Sequence, residues 1–462
     1  MRISFLLDNA YGVGGAIRAT ISTANALAAF GHEVQILSVK RLLTTPSFDI
    51  DPRVSLESIV DLRDPESFSQ EERRLAEQPP TVLPKSEAIY KDYNALLETR
   101  VREKLSQLDT DVIIGTRVGL NTYIAEFAPE TLLRVGVAHT TFSYYSAPSL
   151  ADELKALSRL DALITVASGD VPVWQQHLKH AGTQIAGIAN CVAPTGLTAS
   201  SRNSKTIMAV GRLVGVKQFH LLIRAFSIVS AKYPDWKLRI YGRGAAKQGL
   251  RELIFKLGLH NRAYLMGAVT PIEPEWAKAS IAAVTSRLES FHIGLVEAQQ
   301  VGVPVVSMAC ERGPVDIITP DSDGILTPPN DVEAFAAGLL RVIENPELSD
   351  RLAARGLRTS ERFRPEAIAK QYHKFLTKLV SAKTGRSNGR AKAARTDERA
   401  AKPPALDCLV SDDTGILEIR TGDRRLKQLV LSPRGKGKTL KLECKGGLAR
   451  VPVTTALAEG TY

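Results

Sequence analysis

Residues 1–39, MRISFLLDNAYGVGGAIRATISTANALAAFGHEVQILSV, decide the fold. An apolar run, Ile3–Leu7, leads into a glycine turn, Gly12-Val13-Gly14-Gly15. A helical stretch follows, Ala16–Phe30, with Ile17, Ile21, Ala24 and Ala28 on one face, and a second β-branched run, Glu33–Val39, closes the unit. Two buried strands joined through a helix pair in parallel, because parallel neighbours need a crossover that a hairpin cannot supply. Working outward, the strand pattern recurs at Asp111–Gly115, Leu132–Ala138 and Ala162–Val166. The expectation is an α/β, doubly wound domain over residues 1–197, with helices on both faces of a parallel sheet. Residues 41–92 are less regular, rich in Pro and charge, and read as an insertion.

The pattern starts afresh after a polar break, GLTASSRNSK. Thr206–Val210, Lys237–Tyr241, Ala263–Met266, Ile281–Thr285 and Val303–Met308 read as strands, each followed by a turn and a helix, and define a second Rossmann-like domain over 203–377. Ligands of open α/β sheets bind at the carboxyl ends of the strands, so two such sheets imply a cleft between domains. A last helix, Pro365–Val380, is expected to pack back on the first domain. Residues 404–462 change to short alternating runs split by TG, SPRGKG and KGG turns, which predicts a small antiparallel β module.

Composition limits the function classes. With 462 residues, 44% hydrophobic and 24% charged, the chain excludes a disordered, fibrous or disulfide-stapled protein. No window reaches the roughly 18 apolar residues of a spanning helix, and the first apolar run is too short for a signal-peptide core. The four cysteines are far apart, with no CxxC pair, and read as reduced thiols; the expectation is a cytoplasmic protein. The net charge is +11, of which residues 378–462, with 18 Lys/Arg against 9 Asp/Glu, carry nine. Residues 378–403, small and basic, read first as a linker. Secondarily, the strip at 383–402 would touch an anionic membrane at its inner face, or an acidic polymer. Nucleic acid is not expected, because no aromatic residues interleave the charges and no recognition helix follows.

Four segments point into the cleft. Gly14 and Gly15 open a helix after a strand, where backbone amides and the helix dipole attract phosphate, although a purely structural turn would look the same. Arg212 and Lys217, in VGRLVGVK, leave the end of a strand just before a helix and suit a diphosphate as fork and point charge. In SRLESFHIGLVEAQQ, Glu289 sits in the loop before a helix and Glu297 two turns into it. The free amides there, from His292, Ile293, Gly294 and Leu295, could receive pyrophosphate oxygens, leaving Glu289 for sugar hydroxyls and Glu297 for ribose hydroxyls. A capping carboxylate and a surface helix residue are the plain alternatives for the two. His139 ends a strand in the first domain; a structural histidine reads identically.

Together these segments, with the NCV turn at 190–192 and ERGPVDII at 311–318, resemble the retaining nucleotide-sugar glycosyltransferases of the GT-B fold, glycosyltransferase family 4, over residues 1 to about 378. The resemblance implies a hexosyltransferase that moves a sugar from a nucleoside diphosphate to a carbohydrate or polyol-phosphate acceptor, with retained anomeric configuration. By resemblance, Gly14 and Gly15 face the sugar or phosphate and Arg212 and Lys217 hold the diphosphate. Glu289 and the backbone near Phe291 hold the donor sugar, Glu297 the ribose, and His139 is the cleft histidine. The GPVDII segment looks like bacterial members that decorate cell-envelope polymers such as teichoic acid. Where the family commonly has Gly after Phe291, this chain has His292. Beyond the nucleotide sugar no cofactor is implied, and no essential metal: Asp49/Asp51, Asp109/Asp111 and Asp321/Asp323 read as turns or helix ends. A nucleotide-sugar epimerase of the same plan and a non-catalytic glycopolymer-binding protein remain as alternatives. A nicotinamide dehydrogenase does not fit, since the glycine turn lacks the fingerprint.

Overall fold

The computed structural model describes residues 1–400 and, beyond them, only the backbone of Leu406–Ser411, Ile416–Thr421, Gln428–Leu431, Leu440–Glu443 and Leu448–Pro452. Residues 1–381 form one compact unit and 382–462 a second. The first unit holds two sheets.

The first sheet has seven strands: β1 Arg2–Leu7, β2 Glu33–Arg41, β3 Val54–Asp61, β4 Val112–Gly115, β5 Leu133–Ala138, β6 Ala162–Thr165 and β7 Gln184–Gly187. They lie in the order β3-β2-β1-β4-β5-β6-β7, every pair parallel. The second sheet has six: β8 Thr206–Val210, β9 Lys237–Tyr241, β10 Ala263–Gly267, β11 Ile281–Val284, β12 Val305–Met308 and β13 Ile325–Thr327. Their order is β10-β9-β8-β11-β12-β13, again all parallel.

Side chains on a strand alternate between faces, and here both faces are covered. In β1, Ile3, Phe5 and Leu7 enter the core beneath helix Gly15–Ala29, while Leu6 enters the core on the opposite face with Leu37 and Ile113. In β11, Ile281 and Ala283 pack with Phe226 and Phe335, whereas Ala282 and Val284 face Trp276 and Leu295. That double burial is why these strands read as unbroken apolar runs.

Three strands differ from the sequence expectation. β3 lies inside the segment read as an insertion and is an integral edge of the first sheet. Its sequence, VSLESIVD, is only partly buried, so its pattern is that of an edge. β7 and β13 are short edge strands at the other ends.

The last helix begins at Pro365 and returns to the first lobe, where Ile368, Ala369, Tyr372 and Leu376 join the core of β1. Its backbone continues helical to Ala400, through most of the stretch read as a linker. Side chains beyond residue 384, and so most of the basic strip at 383–402, lie outside the described residues. In the tail, Ile416–Thr421 pairs antiparallel with Leu406–Ser411 and with Leu448–Pro452. The turns of the module expected at 404–462 lie outside the described residues. The two passages of chain between the lobes meet each other: Val192 N donates to Phe363 O at 2.9 Å, and Gln300 Nε2 to Val192 O at 3.1 Å.

Candidate active site

In an open parallel sheet the crevice lies where strand order reverses, because crossovers on the two sides leave in opposite directions. Those points fall between β1 and β4 in the first sheet and between β8 and β11 in the second. The glycine turn follows β1. Arg212 and Lys217 follow β8, and Ser286–His292 follow β11, so the two charged segments flank one switch point. They are tied together: Arg287 N donates to Val216 O at 2.8 Å, and Thr285 Oγ1 to Lys217 O at 3.1 Å.

Lys217 is carried on a short 3₁₀ turn, Gly215–Lys217, and its ammonium is ion-paired with Glu289 Oε1. Both side chains are largely buried, at 18% and 10% exposure. Burial pushes the Glu289 carboxyl up, but Lys217 outweighs it, with help from His292 and Ser286, and the group titrates below its ordinary range. Gly313, at φ 71°, packs directly under Glu289; a Cβ there would lie 2.7 Å from the Glu289 Cβ, so the backbone needs glycine for both its angle and its space.

His292 is the N-cap of helix Ile293–Gln300. Its Nδ1 accepts from Leu295 N at 2.9 Å, which leaves Nε2 as the protonated nitrogen, 3.8 Å from Glu289 Oε1. Burial holds the ring's pKa down to about 4, so it is neutral near pH 7. The amide of Leu295, expected as a free phosphate donor, is therefore already satisfied by the histidine. A histidine is an unusual cap, but its Nδ1 lone pair serves as a Ser or Asn oxygen would. Phe291 stacks edge-on against Phe363, ring centroids 5.2 Å apart.

Glu297 is not a surface residue: its side chain is 3% exposed. Oε2 accepts from Trp276 Nε1 at 3.2 Å, and Oε1 lies 2.8 Å from an amine of Arg18, which reaches across from the first lobe and also donates to Glu273 Oε1 at 2.8 Å. Burial pushes the Glu297 carboxyl up; Arg18 pulls it only part of the way back, Glu273 adds to the rise, and the group titrates above its ordinary range. Sequence reading missed Arg18. Its only signal is its place in the first turn after Gly14-Gly15, and nothing local reveals a partner 255 residues away.

Arg212 is exposed, and its guanidinium has no charged partner among the described residues. Gly14 is the N-cap of helix Gly15–Ala29, and a Cβ on Gly15 would meet nothing within 4 Å, so that face of the turn is open. His139 follows β5; its Nε2 is 3.5 Å from Thr20 Oγ1 and its Nδ1 is buried without a partner. Burial lowers its pKa to about 4. The loop after β12 also crosses the cleft: Arg312 Nε donates to Asp170 Oδ1 at 2.7 Å and Ser143 Oγ to Glu311 Oε2 at 2.6 Å. Among the described residues, five of the six DxD aspartates have side-chain partners, Asp49 being the one that takes part only through its backbone carbonyl, which accepts from Asn25. Asp51 pairs with Arg53, Asp109 and Asp111 with Arg2, and Asp321 with Arg341, while Asp323 accepts from Thr319 N and Thr359.

Comparison with known proteins points to a family and a fold. Residues 198–359 match the family of glycosyl transferases group 1. Over 441 residues the chain is 31% identical to a Streptomyces coelicolor protein named as an exopolysaccharide phosphotransferase, covering 93% of this chain and 46% of that one. An uncharacterized glycosyltransferase of Haemophilus influenzae is 25% identical, with 81% and 99% covered. Thus the chain spans about half the length of the first relative and nearly all of the second. Among solved structures, Anabaena HepE in complex with UDP-glucose superimposes with a TM-score of 0.62 at 19% identity, covering 82% of this chain and all of HepE.

Proposed function

Residues 198–359 belong to the group 1 glycosyl transferases, and from that premise we propose that the protein transfers a sugar from a uridine diphosphate donor to an acceptor hydroxyl with anomeric configuration retained. The observation that carries this reading is the Lys217–Glu289 pair beside the capped helix at the switch point of the second sheet. Residues 203–377 would be the donor side and 1–197 the acceptor side.

In the absence of donor, Lys217 neutralises Glu289. An arriving diphosphate offers Lys217 a second anion, and Arg212, exposed and with no charged partner among the described residues, swings onto it as a bidentate fork. The amides of Ile293 and Gly294 remain for a phosphate oxygen, with the helix dipole behind them. Glu289, freed from part of its ion pair, accepts from donor-sugar hydroxyls, and Glu297 accepts from the ribose. As the bond to the anomeric carbon breaks, negative charge grows on the leaving phosphate, where these cations and amides already stand. His139, neutral and with a nitrogen unpartnered, accepts or donates to a hydroxyl of the sugar without carrying charge. Gly14 and Gly15 let that sugar approach the backbone of the first lobe.

We further propose a cell-envelope glycopolymer as acceptor, teichoic acid being one such polymer, in keeping with the exopolysaccharide name of the Streptomyces relative. No helix among the described residues is long and apolar enough to cross a membrane. Contact with an anionic surface would run through residues 383–402. The direct test is a thermal-shift and hydrolysis screen of UDP, GDP, ADP and CDP sugars. Stabilisation and slow hydrolysis with a UDP-sugar, both lost in Lys217→Ala and Glu289→Ala, are expected. Release of an epimerised free nucleotide sugar, or binding without turnover in any acceptor mixture, would refute transfer.

A further inference from the structure

We propose that Arg18, on the first lobe, is a positioning residue for Glu297, so that the second lobe's hold on the donor ribose depends on the first. The inference rests on the reading of Glu297 as the ribose acceptor. A carboxylate at 3% exposure needs a counter-charge to stay ionised, and helix Ile293–Gln300 supplies none: its sequence, IGLVEAQQ, contains no cation. The strands beside it, Ile281–Val284 and Val305–Met308, contain no ionisable residue. Helix Pro346–Ser360, packed on the same helix, turns Asp350 to Arg202 and Arg355 to Ser322. The short helix Glu273–Trp276 brings the neutral Trp276 donor and a second carboxylate, Glu273. Among these described neighbours the cation comes from Arg18 alone, 2.8 Å from Glu297 Oε1.

The way Arg18 is held matters as much as its charge. One guanidinium nitrogen of Arg18 lies 2.8 Å from Glu273 Oε1 and 2.8 Å from Glu297 Oε1, so it is shared between the two carboxylates. An ionised carboxylate offers about four acceptor positions, and Trp276 takes one. Arg18 opposes the cost of burying the charge, and the acceptor directions that Trp276 and Arg18 do not take are those a pair of vicinal hydroxyls requires. Without Arg18, Glu297 and Glu273 would share a buried site with no cation between them, and like charges so placed retain a proton to higher pH. A protonated Glu297 gives up an acceptor, and the ribose loses its partner.

The experiment is calorimetric titration of the full chain with UDP-glucose between pH 5.5 and 8.5, a probe whose diphosphate diester does not titrate in that range. The unsubstituted protein is expected to weaken towards low pH less steeply than a variant without the cation, because Arg18 opposes the rise of the Glu297 pKa. Arg18→Met should weaken binding about threefold at pH 8.5 and more than tenfold at pH 6, since each unit of raised pKa moves the ionised fraction tenfold. Arg18→Lys, which keeps a cation, should recover most of the unsubstituted profile, and Glu297→Gln should bind weakly at every pH. A uniform loss in Arg18→Met, equal across the pH range, would mean that Arg18 only tethers the lobes, and the inference falls; so too if Kd does not change. If Glu297→Gln binds as the unsubstituted protein does, the ribose assignment itself is what fails, whereas a protein that does not bind UDP-glucose overturns the uridine diphosphate donor proposed above.

Discussion

Replacing Lys217 by Met removes the counter-charge of Glu289 while keeping most of the aliphatic volume. Exposed ion pairs contribute about 0–1 kcal/mol, whereas stripping one partner from a buried pair costs about 3–5 kcal/mol. At 18% and 10% side-chain exposure, this pair lies nearer the buried limit, and His292, neutral and 3.8 Å away, cannot substitute for the ammonium. The expected loss is about 2–3 kcal/mol, or a fall in Tm of roughly 2–4 °C for a unit of 381 residues. Most of that loss is the uncompensated carboxylate, so adding Glu289→Gln should restore at least half of it, a coupling of about 1–2 kcal/mol. Activity should not return with stability. The sign of the pH effect follows from the lowered Glu289 pKa: the pair stabilises above the unfolded value near 4.5, and its contribution disappears as pH falls through the lower folded value. The deficit of Lys217→Met should therefore begin to shrink above pH 4.5, as the uncompensated carboxyl takes up its proton, and should be gone once pH falls below the lowered folded value of the intact pair. Thermal melts of the single and double variants across that range read all of this. A double variant as unstable as the sum of its two single changes would refute a stabilising Lys217–Glu289 pair.

His292→Gly should change stability by only a few tenths of a kcal/mol, because glycine is itself a tolerated N-cap, yet it removes a ring from the donor-sugar side. Competition among UDP-sugars should show a shifted preference, and an unchanged one would remove His292 from specificity. His139 and His292 are both held to pKa values of about 4. The unfolded chain takes up those protons first, so stability should fall as pH drops from 6.5 towards 4, by up to about 2 kcal/mol each at pH 5, and denaturant melts of His139→Gln and His292→Gln should show a shallower fall. Ending the chain after Thr384 keeps the packed part of the last helix and should leave UDP-glucose hydrolysis intact while abolishing co-sedimentation with anionic vesicles. Undiminished vesicle binding would exclude the strip at 383–402.

What could be seen in the sequence follows the range of the interaction. Doubly buried strands such as Ile3–Leu7 and Ile281–Val284 announce themselves because both faces demand apolar side chains. The edge strand Val54–Asp61 does not, since half of its side chains meet water and its charges resemble a loop. Lys217 and Glu289 could be nominated separately because each follows an apolar strand into a helix start. Their direct pairing could not, for it depends on β8 and β11 being neighbours although two strands lie between them in the chain. Arg18 is the extreme case, an ordinary helix arginine locally, whose partners come from the other lobe. His292 stood out as a departure, but its capping role needed the position of its Nδ1.

The backbone hydrogen bond between Val192 and Phe363 joins the outgoing and returning connections. A single thread would let one lobe swivel freely about the other. Two threads fastened side by side behave like a door on paired pins, free to swing about one line and resistant to twisting. Whatever opening admits the donor, the Arg18 guanidinium should then return along a fixed arc to the same carboxylates on every turnover, and cutting the returning thread should cost precision of closure before it costs either half its fold.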